Sequence, residues 1–248
     1  SLAGATDSHY TRSPVQAAHA GIYAVVVSNA LGSVTSSNAT LAISVPPGII
    51  AQPQSATVIA GTNITFTVTA TGTAPLSYQW IFDGTNIPGA TASSYTRINV
   101  QPTDAGAYAA IVTNVAGSVT SSNALLTVLV PPVIITQPQS IAVAAGSNAT
   151  FTVIATGTVP LEYQWRFNGT NLAAATDSAY TCWNVQAENA GSYSVVVSNL
   201  AGTVASSEAE LTLIPSAPLQ IDWIRLTLDG QIQLQVSGGP GDYTLKVT

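Results

Sequence analysis

Charged side chains are scarce. They make up 6% of the 248 residues, where about 25% is usual. The net charge is −6 and Lys246 is the sole lysine, so no basic surface exists for nucleic acid or anionic lipid. Cysteine is almost absent: Cys182 stands alone, no intrachain disulfide can form, and cysteine says nothing about redox compartment. The two histidines, His9 and His19, form no Ser-His-Asp or Cys-His arrangement, and no Gly-x-Ser-x-Gly elbow occurs. Neither zinc spacing nor an Asp-rich calcium loop is present. No cofactor, metal or catalytic residue is therefore expected. No apolar run reaches the length of a membrane span. What the chain has instead is 46% hydrophobic residues, too many for disorder. Threonine, serine and asparagine wet its surface. That surface suits an exported or assembled protein, and its low charge leaves little repulsion to keep copies apart.

An internal repeat of 85 residues runs through the chain. Gln52-Pro53-Gln54-Ser55 returns as Gln137-Pro138-Gln139-Ser140, and Trp80 returns as Trp165. Tyr23, Tyr108 and Tyr193 stand at the same spacing, and Pro46-Pro47 and Pro131-Pro132 punctuate the boundaries. Within a repeat the hydrophobic period is two, as in half-buried strands. Ile64, Phe66, Val68 and Ala70 alternate with four threonines; Tyr193, Val195 and Val197 are read as inward, with Ser192, Ser194 and Ser198 outward. Turns are expected at Asp83-Gly84, Asn168-Gly169 and Ala116-Gly117. The fold class is all-β: tandem Greek-key sandwiches, each with one Trp on a middle strand and one Tyr at a late corner.

The recurring pattern is G-x-N-x-T-F-x-V-x-A-T-G, then Y-Q-W, then D/N-A-G-x-Y and N-x-A-G. It resembles the immunoglobulin superfamily, intermediate-set type, in the disulfide-free form of bacterial surface proteins. The resemblance implies that Trp80, Trp165, Tyr23, Tyr108 and Tyr193 mark cores. It also places the two family cysteines at Val68 and Ala110, and at Val153 and Val195. The apolar residues found there keep the packing and omit a staple that contributes about 2–4 kcal/mol. At a position the family fills with an inward aliphatic stand Arg12, Arg97 and Cys182. Either a bulge turns these outward, or Ile98 and Trp183 take the inward role.

The pattern divides the chain into four. Residues 1–45 carry the later strands of a unit, with Tyr23, Val25, Val27, Leu41 and Ile43. Complete units are expected at 46–130 and 131–214. Residues 215–248 hold a linker and about three further strands: Ile224 to Leu228, a tight turn at Asp229-Gly230, Ile232 to Val236, and Tyr243 to Val247. Incomplete units at both ends have two readings: a window on a longer protein, or half-domains completed by another copy, which would build a filament.

The candidate side chains are few. Trp183 and Trp223 are candidates for stacking on sugars. Asn38, Asn63, Asn148 and Asn168 lie in N-x-T sequons. Glu208 and Glu210 form a carboxylate pair that does not recur with the repeat, and His19 reads as a turn cap. The expected role is a structural or adhesive extracellular or cell-surface array, a stalk or fibre. Its partners would be other copies, neighbouring domains or glycans. The rival role is a carbohydrate- or protein-binding accessory module of a larger secreted protein.

Overall fold

A computed structural model gives the fold and describes residues 2–215, 220–228 and 230–237. The chain divides into two compact units, Ser1–Val128 and Leu129–Thr248.

The first unit opens with β1 (Gly21–Tyr23), β2 (Val26–Asn29), β3 (Gly32–Thr35) and β4 (Ala39–Leu41). β1 pairs with β4 and β2 with β3, both antiparallel. No second layer covers these strands within residues 2–45. Val25, Val26 and Val27 are exposed in consequence, and Tyr23 is half-buried rather than part of a closed core. Its hydroxyl still donates to the His19 carbonyl at 2.7 Å.

A complete sandwich follows. Its strands are β5 (Gly48–Ala51), β6 (Ala56–Ile59), β7 (Ile64–Thr67), β8 (Thr69–Thr71), β9 (Ser77–Phe82), β10 (Thr85–Asn86), β11 (Ser94–Arg97), β12 (Gly106–Asn114), β13 (Gly117–Thr120) and β14 (Ala124–Leu129). One layer pairs β5 with β8 and β11 with β7; the other runs β10-β9-β12-β14-β6, with β13 also on β12. The chain changes layer between β5 and β6, at buried Pro53, where a missing N–H costs no ladder bond. The flanking residues pin this crossing to the last strand. Gln52 Oε1 accepts the Ser122 N–H at 2.9 Å, and Ser55 Oγ accepts the Leu125 N–H at 2.9 Å. The Asp83-Gly84 hairpin joins β9 to β10 with both residues at positive φ, the turn such a pair favours.

The core lies between the layers. Trp80, Ala110, Val112 and Ala124 are fully buried, with Phe66, Val68, Tyr108 and Leu126 nearly so. The Phe66 and Tyr108 rings stack at 4.7 Å, and the Trp80 indole N–H donates to the Ala92 carbonyl at 3.0 Å. The Thr-rich alternate positions face outward, where Thr65 and Thr96 hydroxyls meet across strands at 2.8 Å.

The second unit repeats the plan with β15 (Val133–Thr136), β16 (Ile141–Val143), β17 (Ala149–Thr152), β18 (Ile154–Thr156), β19 (Glu162–Phe167), β20 (Thr170–Asn171), β21 (Ala179–Cys182), β22 (Gly191–Asn199), β23 (Gly202–Ala205) and β24 (Ala209–Leu213). Its core closes on Phe151, Val153, Trp165, Tyr193, Val195 and Val197. After it, β25 (Gln220–Leu226) and β26 (Ile232–Ser237) form an antiparallel hairpin with a bulge at Ile221/Trp223. At the end of this hairpin the Thr227 N–H donates to the Gln231 carbonyl at 2.7 Å and the Gly230 N–H to the Thr227 carbonyl at 2.9 Å. The expected strand Tyr243 to Val247, like Asp229 and Lys246, lies outside the described residues.

Candidate functional site

The ambiguous strand position resolves differently in each unit. β11 and β21 pair without a bulge, Arg97 opposite Ile64 and Cys182 opposite Ala149. Cys182 points inward and is buried; its Sγ lies 4.0 Å from the Tyr193 hydroxyl. Ile98 and Trp183 do not take the inward role: they are 69% and 72% exposed. They follow the last paired residue, where the chain turns away. Arg97 runs along the rim, and its Nη2 meets Asp104 Oδ1 at 2.6 Å.

This contact belongs to a corner motif. In the 3-10 turn Pro102–Asp104, Asp104 Oδ2 accepts the Gln101 N–H at 2.8 Å, and the Tyr108 hydroxyl donates to the Asp104 carbonyl at 2.9 Å. Asn189 caps Gln186 at 2.8 Å in the same way and receives Tyr193 at 2.9 Å. His19 caps Gln16 through Nδ1 at 2.9 Å, with Arg12 Nη2 2.8 Å from its other ring nitrogen. The residue at this position thus differs in each repeat: Arg12 meets His19, Arg97 meets Asp104, and Cys182 lies beside the tyrosine bonded to Asn189. Burial of Asp104 favours its neutral form, but the Arg97 guanidinium and the Gln101 N–H outweigh that and lower its pKa. Burial, then the nearby Asp104 charge, pushes Tyr108 up to about 12. Tyr193 is raised as well, by burial first and then by Cys182.

A second arrangement holds the Pro-Pro junctions. Asn114 Nδ2 donates to the carbonyls of Val45 at 2.8 Å and Thr73 at 2.9 Å. Val45 N–H donates to Thr73 Oγ1 at 2.7 Å. Eighty-five residues on, Asn199 grips Val130 and Thr158 at 2.8 and 2.9 Å, and Val130 N–H reaches Thr158 Oγ1 at 2.7 Å. Gly72 passes so close that a Cβ there would sit 3.0 Å from Pro47 Cα; Gly157 meets Pro132 in the same way. The sequence reading used this asparagine as a family signature and missed its work. The signal was its recurrence as Asn29, Asn114 and Asn199.

The remaining candidates are dispersed. Trp223 is 42% exposed and stacks under the Arg225 guanidinium, 4.9 Å away. All four sequon asparagines are exposed. Asn63 and Asn148 accept the N–H of Asn99 and Asn184 at 2.8 and 3.0 Å, and Asn168 accepts that of Ser192 at 2.9 Å. Glu210 stands on an outward strand face and Glu208 just before it. Among the described residues, no three His, Cys, Asp or Glu side chains gather as metal ligands, and no helix is long and apolar enough to cross a membrane.

Two cores, each with its tryptophan and a tyrosine bonded to the corner carbonyl, agree with the comparison to known families. The "Immunoglobulin domain" model matches residues 46–114 and 131–199. The chain belongs to the immunoglobulin-domain family. "Leucine-rich repeats and immunoglobulin-like domains protein 1" of Homo sapiens is 30% identical over 225 residues, 82% of this chain and 20% of that protein. "Endoglucanase C" of Cellulomonas fimi is 32% identical over 177 residues, 67% of this chain and 16% of that enzyme. The chain therefore spans a fifth or less of these relatives. Among solved structures, an I-band fragment of titin superposes with a TM-score of 0.57 at 23% identity, covering 79% of this chain and 77% of that one. The N-terminal eight immunoglobulin domains of the Down Syndrome Cell Adhesion Molecule give 0.61 at 22% identity, covering 80% and 28%. These structures share the fold: all-β immunoglobulin domains in tandem.

Proposed function

We propose that the chain is part of an extracellular or cell-surface immunoglobulin array of bacterial origin, with structural and adhesive work as a stalk or fibre. Its units are of intermediate-set type: residues 46–130 and 131–214 are complete domains, 1–45 the later strands of another, and 215–248 a linker and the start of a different β module. The observation that carries the reading is the clamp at the junction. β14 ends at Leu129, and Val130 is already bonded to Thr158 and Asn199. A stalk needs junctions that resist bending, and bonds that tie down the Pro131-Pro132 segment as it enters its own domain are what such a junction requires. A relative whose name prints cell adhesion, "Cell adhesion molecule-related/down-regulated by oncogenes" of Xenopus laevis, supports the adhesive part of the reading, and the Cellulomonas fimi relative the bacterial part. The role is non-enzymatic, and the partners are other immunoglobulin domains of the same or another chain.

Small-angle scattering tests it. The intact chain is expected to give one narrow range of dimensions, and Asn199→Ala with Thr158→Ala a broader one. A wild-type profile that already needs freely hinged bodies removes the mechanical reading. Head-to-tail assembly into a filament is the finer form, supported by the uncovered apolar residues Val25, Val26 and Val27. Sedimentation that grows with concentration, and fibres by electron microscopy, are its expected results. A monomer at every concentration ends the filament form.

A further inference from the structure

Trp183 is the most exposed tryptophan described, at 72%, yet the backbone on both sides of it is tied down. On one side Cys182 is buried and paired in register with Ala149. On the other, Val185 is fully buried, its N–H donating to the Ser147 carbonyl and its carbonyl accepting the Gly146 N–H, both at 2.8 Å. Asn184 between them has a φ of 50° and is fixed by Asn148 Oδ1 at 3.0 Å. Gln186 Nε2 ties back to the Asn184 carbonyl and Oδ1, both at 3.2 Å. The Nδ2 groups of Asn148 and Asn184 have no partner among the described residues. The open indole thus stands on a tied backbone, next in the chain to Asn184, whose amide and that of its partner Asn148 have donors to spare.

We propose that this corner binds neutral glycans: a pyranose ring stacks its C–H face on Trp183 while Asn148 and Asn184 donate to its hydroxyls. Stacking rewards a flat apolar face, and a platform whose backbone is already tied loses little backbone freedom on binding. The nearest charge along the chain is Glu188, in the turn Ala187–Asn189. A carboxylate accepts from sugar hydroxyls and repels anionic sugars, so the ligand class is neutral. The preceding domain has the same frame without the aromatic: Ile98 is 69% exposed, and Asn99 is fixed by Asn63 at 2.8 Å. Glycan binding is independent of the array reading, since a stalk can exist with or without it.

That internal control defines the experiment. The full chain, made in a host that adds no N-glycans, is run through native gels containing hydroxyethyl cellulose, xylan or mixed-linkage β-glucan, with alginate as the anionic comparison. At least one neutral polymer is expected to retard it. Trp183→Ile, which gives the corner the residue of the preceding domain, should weaken retention about tenfold or more. Ile98→Trp should strengthen it by adding a second platform. The proposal is overturned by any of three results: no retardation by the neutral polymers, retardation by alginate alone, or a Trp183→Ile protein retained like wild type.

Discussion

Asp104 does two jobs that the next domain separates. Its Oδ2 caps the corner by accepting the Gln101 N–H, and its Oδ1 holds Arg97. Asn189 keeps the cap alone, because Cys182 replaces the arginine. The cap is therefore the part the fold requires, and the charge is an addition: Asp104 is buried, but the arginine it holds is half-exposed. Asp104→Asn is expected to cost less than about 1 kcal/mol at pH 7, the range of rim ion pairs. The pH dependence carries the sign. Asp104 has a lowered pKa in the folded state, so its contribution is present above the usual carboxylate range, about pH 4, and is lost as pH falls through the lower folded value. Urea titrations of both proteins from pH 7 to pH 2 should converge on the acid side. The tyrosines act at the other end of the scale. Tyr108 is raised to about 12 and Tyr193 is raised as well, while unfolded tyrosine titrates near 10. Their share of stability is complete below pH 10 and lost as pH rises through the folded values. Absorbance at 295 nm should show these two ionising only above pH 10, together with alkaline unfolding. Phenylalanine at either position should remove its late step and cost about 1 kcal/mol for the lost hydroxyl bond.

At the scale of strands, the sequence was legible wherever period two and a large apolar residue coincided. Phe66, Trp80 and Leu126 are buried as alternation requires, as are their partners 85 residues on. Alternation fails where a strand ends, because it does not say which residue is the last one paired. That is why Arg97, Ile98, Cys182 and Trp183 stayed ambiguous until the register was known. The clamps were hidden for another reason: their partners lie 41 and 69 residues apart in the chain, and no local pattern predicts such a bond. The glycine of D/N-A-G-x-Y has a plain steric cause. A Cβ at Gly106 would stand 2.5 Å from the Phe82 ring, and one at Gly191 would stand 2.7 Å from Asn168 Oδ1. Gly106→Ala must push aside a packed aromatic, and a loss of about 1–3 kcal/mol is expected from such overpacking. Thermal unfolding of the variant checks it; an unchanged midpoint would mean that the β9–β10 hairpin yields freely.

For the whole molecule, the decisive feature is that the two hydrophobic cores share no residue: one closes on Trp80, the other on Trp165. Within each domain the bonds between distant strands are internal too, from Gln52 to Ser122 and from Gln137 to Ser207. Cooperativity should then extend over one domain and stop. Trp165→Ala removes the largest side chain of the second core and leaves a cavity, at a cost of about 3–5 kcal/mol. That is a large part of the 5–15 kcal/mol that ordinarily stabilises a domain, and no disulfide holds this one together. Hydrogen exchange read by mass spectrometry should show peptides from 131–214 losing protection while those from 46–128 keep theirs. Trp80→Ala should give the mirror image. If either substitution exposes both regions together, stability passes between the domains, and the array is a single cooperative body rather than a chain of independent ones.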